Sequence, residues 1–141
     1  MKPRLVKAAE TLRDQVNANY PDRDKTSDGW VGNEAHSHTV SDHNPDANGW
    51  VRAIDVDRDL SGKSKPDLMP YLADQLRSVA KSDGRVAYLI FDGKIASSKK
   101  NWQWREYSGI NKHRAHLHCS FNLKGDHDGR PFNIPLLKEA K

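Results

Sequence analysis

Apolar residues recur along this chain with two different periods. Leu5, Ala8, Ala9, Leu12 and Val16 fall at helical spacing, since residues three and four apart share one face of a 3.6-residue turn. With Pro3 suited to a helix start, the pattern predicts an amphipathic helix over residues 4–18 that ends before Asn19-Tyr20-Pro21. Leu68, Leu72, Leu76 and Val79 predict a second helix over 67–81, with Pro66 near its first turn. Elsewhere the pattern is that of strands. Val51 to Val56 predicts a short one and Val86 to Phe91 a buried one, with Asp92-Gly93 as a tight turn into a returning Lys94-Ile95-Ala96. His116 to Phe121 predicts the last strand, and Trp102 and Trp104 share a face if their segment is extended. Residues 21–50 are full of Asp, Asn, Ser, Gly and Pro. So long an irregular stretch is either tied down by something other than a core or is a functional loop. The tail beyond Gly125 reads mostly as turns. No repeat or linker divides the chain, so the expectation is a single domain over residues 1–141, α+β, with helices packed on a small antiparallel sheet.

Composition narrows the function classes. The chain has 141 residues, enough for one modest core. Its longest uncharged apolar run, Val86 to Phe91, is far too short to cross a bilayer, which argues against membrane insertion. Cys119 is the sole cysteine, so there is neither an internal disulfide framework nor a multi-cysteine zinc site. The basic start, Met1 to Leu5, is followed by no apolar signal-peptide core, and synthesis in the cytoplasm is expected. The formal charge of +4 suits an anionic partner: nucleic acid, a membrane surface or a cell-wall polymer. The cations are scattered, however, with Lys63/Lys65 and Lys99/Lys100 the densest spots, and a solvated surface is the better reading.

Histidine carries the chemical signal. Of seven histidines, His36, His38 and His43 lie in the irregular stretch, His113, His116 and His118 cluster near the last strand, and His127 sits alone in the tail. In an extended segment, residues two apart point to one side. His116 and His118 therefore face together while Leu117, Cys119 and Phe121 face the core, where Cys119 would be inert. Asp55 and Asp57 likewise share a side opposite Ile54 and Val56, and period alone does not choose between them. A His-x-His pair by itself is ordinarily two polar residues on a wet strand face. Two histidine groups plus a carboxylate pair in one small domain make a metal pocket the sharper reading. Imidazole suits zinc, and two histidines with one carboxylate leave a fourth position for water.

Ser41-Asp42-His43, Arg52-Ala53-Ile54-Asp55 and His116-Leu117-His118 together resemble the zinc-site pattern of the LAS-type peptidases. That group includes lysostaphin-like enzymes, D-Ala-D-Ala carboxypeptidases, hedgehog-like domains and murein endopeptidases. Ser27 to Asn33, Asn44-Pro45-Asp46 and Trp102-Gln103-Trp104-Arg105 with Tyr107-Ser108-Gly109 are similar to actinobacteriophage endolysin peptidase domains. The resemblance runs from about the first helix to Phe121. It implies an LAS/hedgehog-like fold and a Zn2+ ion held by His43, Asp55 and His118, with Asp55 preferred over Asp57 because it completes Ala-x-Asp. One departure stands out: His43 and Asp55 lie twelve positions apart, wider than is common in the family, with an inserted turn at Asp46-Ala47-Asn48-Gly49.

The His113-Arg114-Ala115-His116-Leu117-His118 run matches the murein endopeptidase branch. This implies His116 as general base and His113 as a second pocket histidine that stabilises the oxyanion or orients substrate. Other branches use a glutamate base, for which Glu106 is the weaker candidate. Arg52 is a candidate for binding a substrate carboxylate and His36 for lining the pocket. The protein so implied is a hydrolase of bacterial peptidoglycan, an endolysin-type monomer made in the host cytoplasm that acts at the cell wall. Two other classes compete. Asp42-His43-Asn44-Pro45-Asp46 superficially matches an HNH nuclease core, although a distal histidine pair on a strand does not suit that fold, so no nucleic-acid partner is expected. A non-catalytic wall-binding module with a structural metal is the third.

Overall fold

The computed structural model describes residues 2–30 and 42–138. Its element order is β1 (Arg4–Leu5), α1 (Lys7–Asn19), β2 (Trp50–Val51), β3 (Ala53–Asp57), α2 (Met69–Asp83), β4 (Val86–Phe91), β5 (Lys94–Ser97), β6 (Arg105–Glu106) and β7 (His116–Phe121). Among the described residues, two helices pack on a five-stranded antiparallel sheet of order β3-β7-β4-β5-β6, and β1 pairs in parallel with β2. The expected α+β class is thus observed.

Alternation builds the layers. Ile54, Val56, Leu117, Cys119, Phe121 and Leu89 are buried, and they share a core with Ala8, Ala9, Leu12 and Val16 of α1 and Leu72, Ala73, Leu76 and Ala80 of α2. Burial raises the Cys119 thiol well above its ordinary range, as expected for an inert side chain. The polar partners of the same alternation, Asp55, His116 and His118, are left for the opposite face. The β4–β5 turn takes left-handed angles at both Asp92 (φ 50°) and Gly93 (φ 80°), the tight hairpin geometry that Asp-Gly predicts.

Three boundaries differ from the sequence expectation. The first helix begins at Lys7, because Arg4 and Leu5 are drawn into the pairing with Trp50 and Val51. The second runs from Met69 to Asp83, closed by Gly84 at φ 87°. Trp102 sits in a turn, with φ 56°, so Trp102 and Trp104 do not form an extended face. Trp102 is buried, and Trp104 donates its indole N–H to Asp74 of α2 at 2.9 Å.

The tail is more than turns. Phe132, Ile134 and Leu137 join the core. Arg85, 1% exposed, holds the tail by donating to the carbonyls of Asp128 and Arg130 at 3.0 and 2.6 Å while stacking on Phe132. Its charge is met by Asp83 at 2.6 Å. Three apolar residues at irregular spacing carry no periodic signal.

The described part of the irregular stretch is fastened by polar contacts. Arg23, buried, forms a two-pronged pair with Asp28 at 2.9 and 2.6 Å, and Asp28 also accepts from the Asp57 backbone N–H at 2.7 Å. Gly29 then bridges to Asp55, so the segment runs alongside β3. Residues 46–50 form the inserted turn: Asp46 accepts from the N–H groups of Asn48 and Trp50, and Gly49 takes φ 86°.

Candidate metal centre

The register of two strands sets the centre. On antiparallel β3 and β7, Asp55 lies directly opposite His118, and Asp57 opposite His116. The open choice between the aspartates resolves by partner. The Asp57 carboxylate accepts from the N–H and hydroxyl of Ser27, at 3.0 and 2.8 Å, and from the Asp59 N–H at 2.8 Å. It anchors the neighbouring segment. Asp55 instead turns to histidines.

His43 completes the group from the loop before the inserted turn. Its Nε2 lies 3.2 Å from Asp55 Oδ2 and 3.2 Å from His118 Nδ1, and His118 Nδ1 lies 3.1 Å from Asp55 Oδ1. Tetrahedral zinc with bonds of about 2.0–2.1 Å places its ligand atoms roughly 3.3 Å apart. The three donors already stand at that spacing.

Hydrogen bonding points the lone pairs inward. His43 Nδ1 lies 2.9 Å from the Trp30 carbonyl oxygen, which can only accept, so Nδ1 carries the proton and Nε2 presents a lone pair to Asp55 and His118. This is the carbonyl–histidine arrangement that orients metal ligands. A carboxylate facing imidazole lone pairs at such distances is repulsive unless a cation or a shared proton lies between them. The donor set fits a divalent metal ion.

The electrostatics agree. Burial alone would raise the Asp55 carboxyl, but hydrogen bonds and charge from His118 and His43 hold it well below the ordinary carboxylate range. Burial likewise opposes protonation of His43, yet the Asp55 hydrogen bond and charge prevail and raise its pKa.

His113 and His116 flank this group. His116 Nε2 is 3.6 Å from Asp55 Oδ1, and the His113 ring meets those of His116 and His118 edge-on, with centroids 4.9 and 5.3 Å apart. Asp55, His113 and His116 form a second, looser cluster that shares its carboxylate with the first. Buried Nδ1 atoms of both His113 and His116 have no hydrogen-bond partner among the described residues. Burial, reinforced by the neighbouring imidazoles His118 and His116, pushes His113 down to about 4. Burial also lowers His116, against the pull of Asp55. Both rings are therefore neutral at neutral pH and able to take up a proton.

The remaining candidates fall elsewhere. Arg52 donates to Asp126 through Nε and Nη2, both at 2.8 Å, and pairs with Asp46 at 2.9 Å. In place of the expected free donor for a substrate carboxylate, it clamps the tail to the inserted turn. Glu106 is exposed on β6. Three strand spacings separate β6 from β7, roughly 14 Å at 4.7–4.9 Å each, too far for direct proton transfer at the centre. His36 lies outside the described residues, as does His38.

Sequence reading missed three groups that orient the candidate ligands: the Trp30 carbonyl, Ser120 and Tyr88. Ser120 lies 2.8 Å from His118 Nε2, and the Tyr88 ring stacks on that of His118 at 5.5 Å and 19°. Ser120 was discoverable, since it continues the His116/His118 alternation by one more step. Tyr88 hides inside an apolar run, and a carbonyl leaves no mark on sequence.

Set against known proteins, the chain matches no protein-family description, no curated protein and no solved structure. The class rests on geometry alone: a two-histidine, one-carboxylate cluster that can hold a metal, on the polar face of a small α+β domain.

Proposed function

We propose that the chain is a zinc-dependent peptidase of bacterial peptidoglycan, of LAS/hedgehog-like fold and endolysin type. The observation that carries this reading is the convergence of His43 Nε2, Asp55 and His118 Nδ1 within 3.1–3.2 Å beside two neutral histidines. A zinc ion bound there would polarise a scissile carbonyl and acidify a water. The chain's own residues supply the remainder. His116, neutral and next to Asp55, takes the proton from the attacking water and returns it to the leaving amine. His113 keeps one ring N–H, which can donate to the oxygen of the substrate carbonyl as negative charge develops there.

The LAS-like motifs favour wall peptides as substrate, and the +4 charge favours adhesion to an anionic wall. The protein would be made in the cytoplasm and act as a monomer at the wall. No described helix is long and apolar enough to cross a membrane.

The test is digestion of purified actinobacterial walls, followed by turbidity, release of new amino groups and mass spectrometry of the fragments. Zinc-loaded protein is expected to release amino groups from stem or cross-link peptides, to stop when chelated and to resume on zinc addition. Zinc-loaded protein that binds walls and releases none would overturn the peptidase reading in favour of a binding module. Metal-dependent nicking of plasmid without wall cleavage would overturn it in favour of a nuclease.

A further inference from the structure

Asp42, His118, Tyr88 and Ser120 belong to three separate segments that meet behind the metal centre. Tyr88 on β4 lies opposite Ser120 on β7, so their side chains share a face. The Tyr88 hydroxyl donates to Asp42 Oδ2 at 3.0 Å. Ser120, fully buried, hydrogen-bonds the Tyr88 oxygen and lies 2.8 Å from His118 Nε2.

Proton direction follows from the far end. A carboxylate only accepts, so Tyr88 must donate to Asp42. The Tyr88 oxygen then retains lone pairs and takes the Ser120 proton. The Ser120 oxygen in turn takes a proton from His118 Nε2. Each hydroxyl gives one hydrogen bond and receives one. The reverse arrangement has Ser120 donating to His118 Nε2 and His118 Nδ1–H donating to Asp55. That arrangement withdraws the Ser120 proton from the Tyr88 oxygen and leaves Nδ1 without a lone pair for a metal.

We propose that Asp42, Tyr88 and Ser120 form a positioning relay that holds His118 as the Nε2–H tautomer, so that its Nδ1 lone pair faces His43 and Asp55. The relay does for His118 what the Trp30 carbonyl does for His43. Stacking of Tyr88 on the His118 ring fixes the ring plane as well as the proton. Asp42, next to the candidate ligand His43 in sequence, is the terminal acceptor of the chain of hydrogen bonds. The consequence of the relay for metal affinity rests on the reading of His43, Asp55 and His118 as the metal site.

Two measurements test it. The first is the imidazole 15N chemical shifts of the metal-free protein at a pH where His118 is neutral, in wild type, Ser120→Ala and Tyr88→Phe. Wild type is expected to show His118 as Nε2–H, and Ser120→Ala to move it toward Nδ1–H. The second is zinc affinity by competition with a chromophoric chelator. Ser120→Ala and Tyr88→Phe are each expected to weaken zinc binding about 10–100-fold, the range found for groups that orient metal ligands. Ser120→Thr, which keeps the hydroxyl, is expected to restore both readouts. Circular dichroism identifies any variant that fails to fold, and the wild-type tautomer remains decisive in that event. A neutral wild-type His118 protonated at Nδ1, or folded variants that bind zinc as wild type does, would overturn the relay. If wild type shows the Nε2–H tautomer but takes up no zinc, the relay stands and the metal reading fails.

Discussion

Asp55 and His118 occupy paired positions on adjacent antiparallel strands, and their side chains meet at 3.1 Å on the polar face of the sheet. Backbone hydrogen bonds therefore fix two of the three candidate ligands before any metal arrives. Only His43 comes from a loop. Removing any one leaves two donors, too few for tight binding. His118→Ala, Asp55→Ala and His43→Ala are each expected to weaken zinc binding by more than about 100-fold, beyond the effect of losing an orienting group. Elemental analysis after gel filtration checks this. Retention of one zinc per chain in His118→Ala would show the ligand assignment to be wrong.

His116 stands apart from that triangle, its Nε2 at 3.6 Å from Asp55 Oδ1. His116→Ala is expected to leave zinc bound while lowering wall cleavage about 10²–10⁴-fold, the usual contribution of a general base. Metal content and cleavage measured on one preparation separate the roles. Equal loss of metal and activity would make His116 a ligand.

The sequence made the sheet's two faces legible because alternation is a strict rule: His116 and His118 on one side, Leu117 and Cys119 on the other. The Asp-Gly turn was legible for a similar reason, since few residues tolerate its backbone. What escaped depended on partners distant in sequence. Whether Asp55 or Asp57 faced the histidines was decided by Ser27, which claims Asp57. Arg52 resembled a substrate-binding cation until Asp126, 74 positions away, supplied its partner. The tail's contribution to the core likewise depends on Arg85 gripping carbonyls 43 and 45 positions further on.

The Arg23–Asp28 pair connects stability to the centre. Asp28 neutralises a guanidinium with 1% side-chain exposure and also caps the Asp57 N–H, two residues before Trp30, whose carbonyl orients His43. Breaking a buried pair by removing one partner costs about 3–5 kcal/mol, and the 24% exposure of Asp28 favours the low end. Asp28→Ala is expected to lower the urea midpoint accordingly and, in the fraction that remains folded, to weaken zinc binding. A midpoint within error of wild type would show that water readily replaces the carboxylate.

Metal binding and pH are linked through His43. In the metal-free protein its pKa is raised above 6.5, because the pairing with Asp55 outweighs burial. A raised histidine pKa gives the metal-free fold stability that is full below 6.5 and is lost as pH rises through the folded value. Zinc requires the neutral ring, so its binding must displace that proton at low pH and is unopposed at high pH. His113, pushed down to about 4, is neutral in the metal-free fold above about pH 5 and adds little to the proton competition. Asp55, with its lowered pKa, stays ionised over the same range. The difference in Tm between zinc-loaded and metal-free protein is therefore expected to widen from about pH 5.5 to about pH 8, following the roughly one proton per site that His43 must release. Thermal scans at fixed free zinc across that range measure it. A difference that is flat or narrows toward the alkaline end would exclude His43 as a ligand.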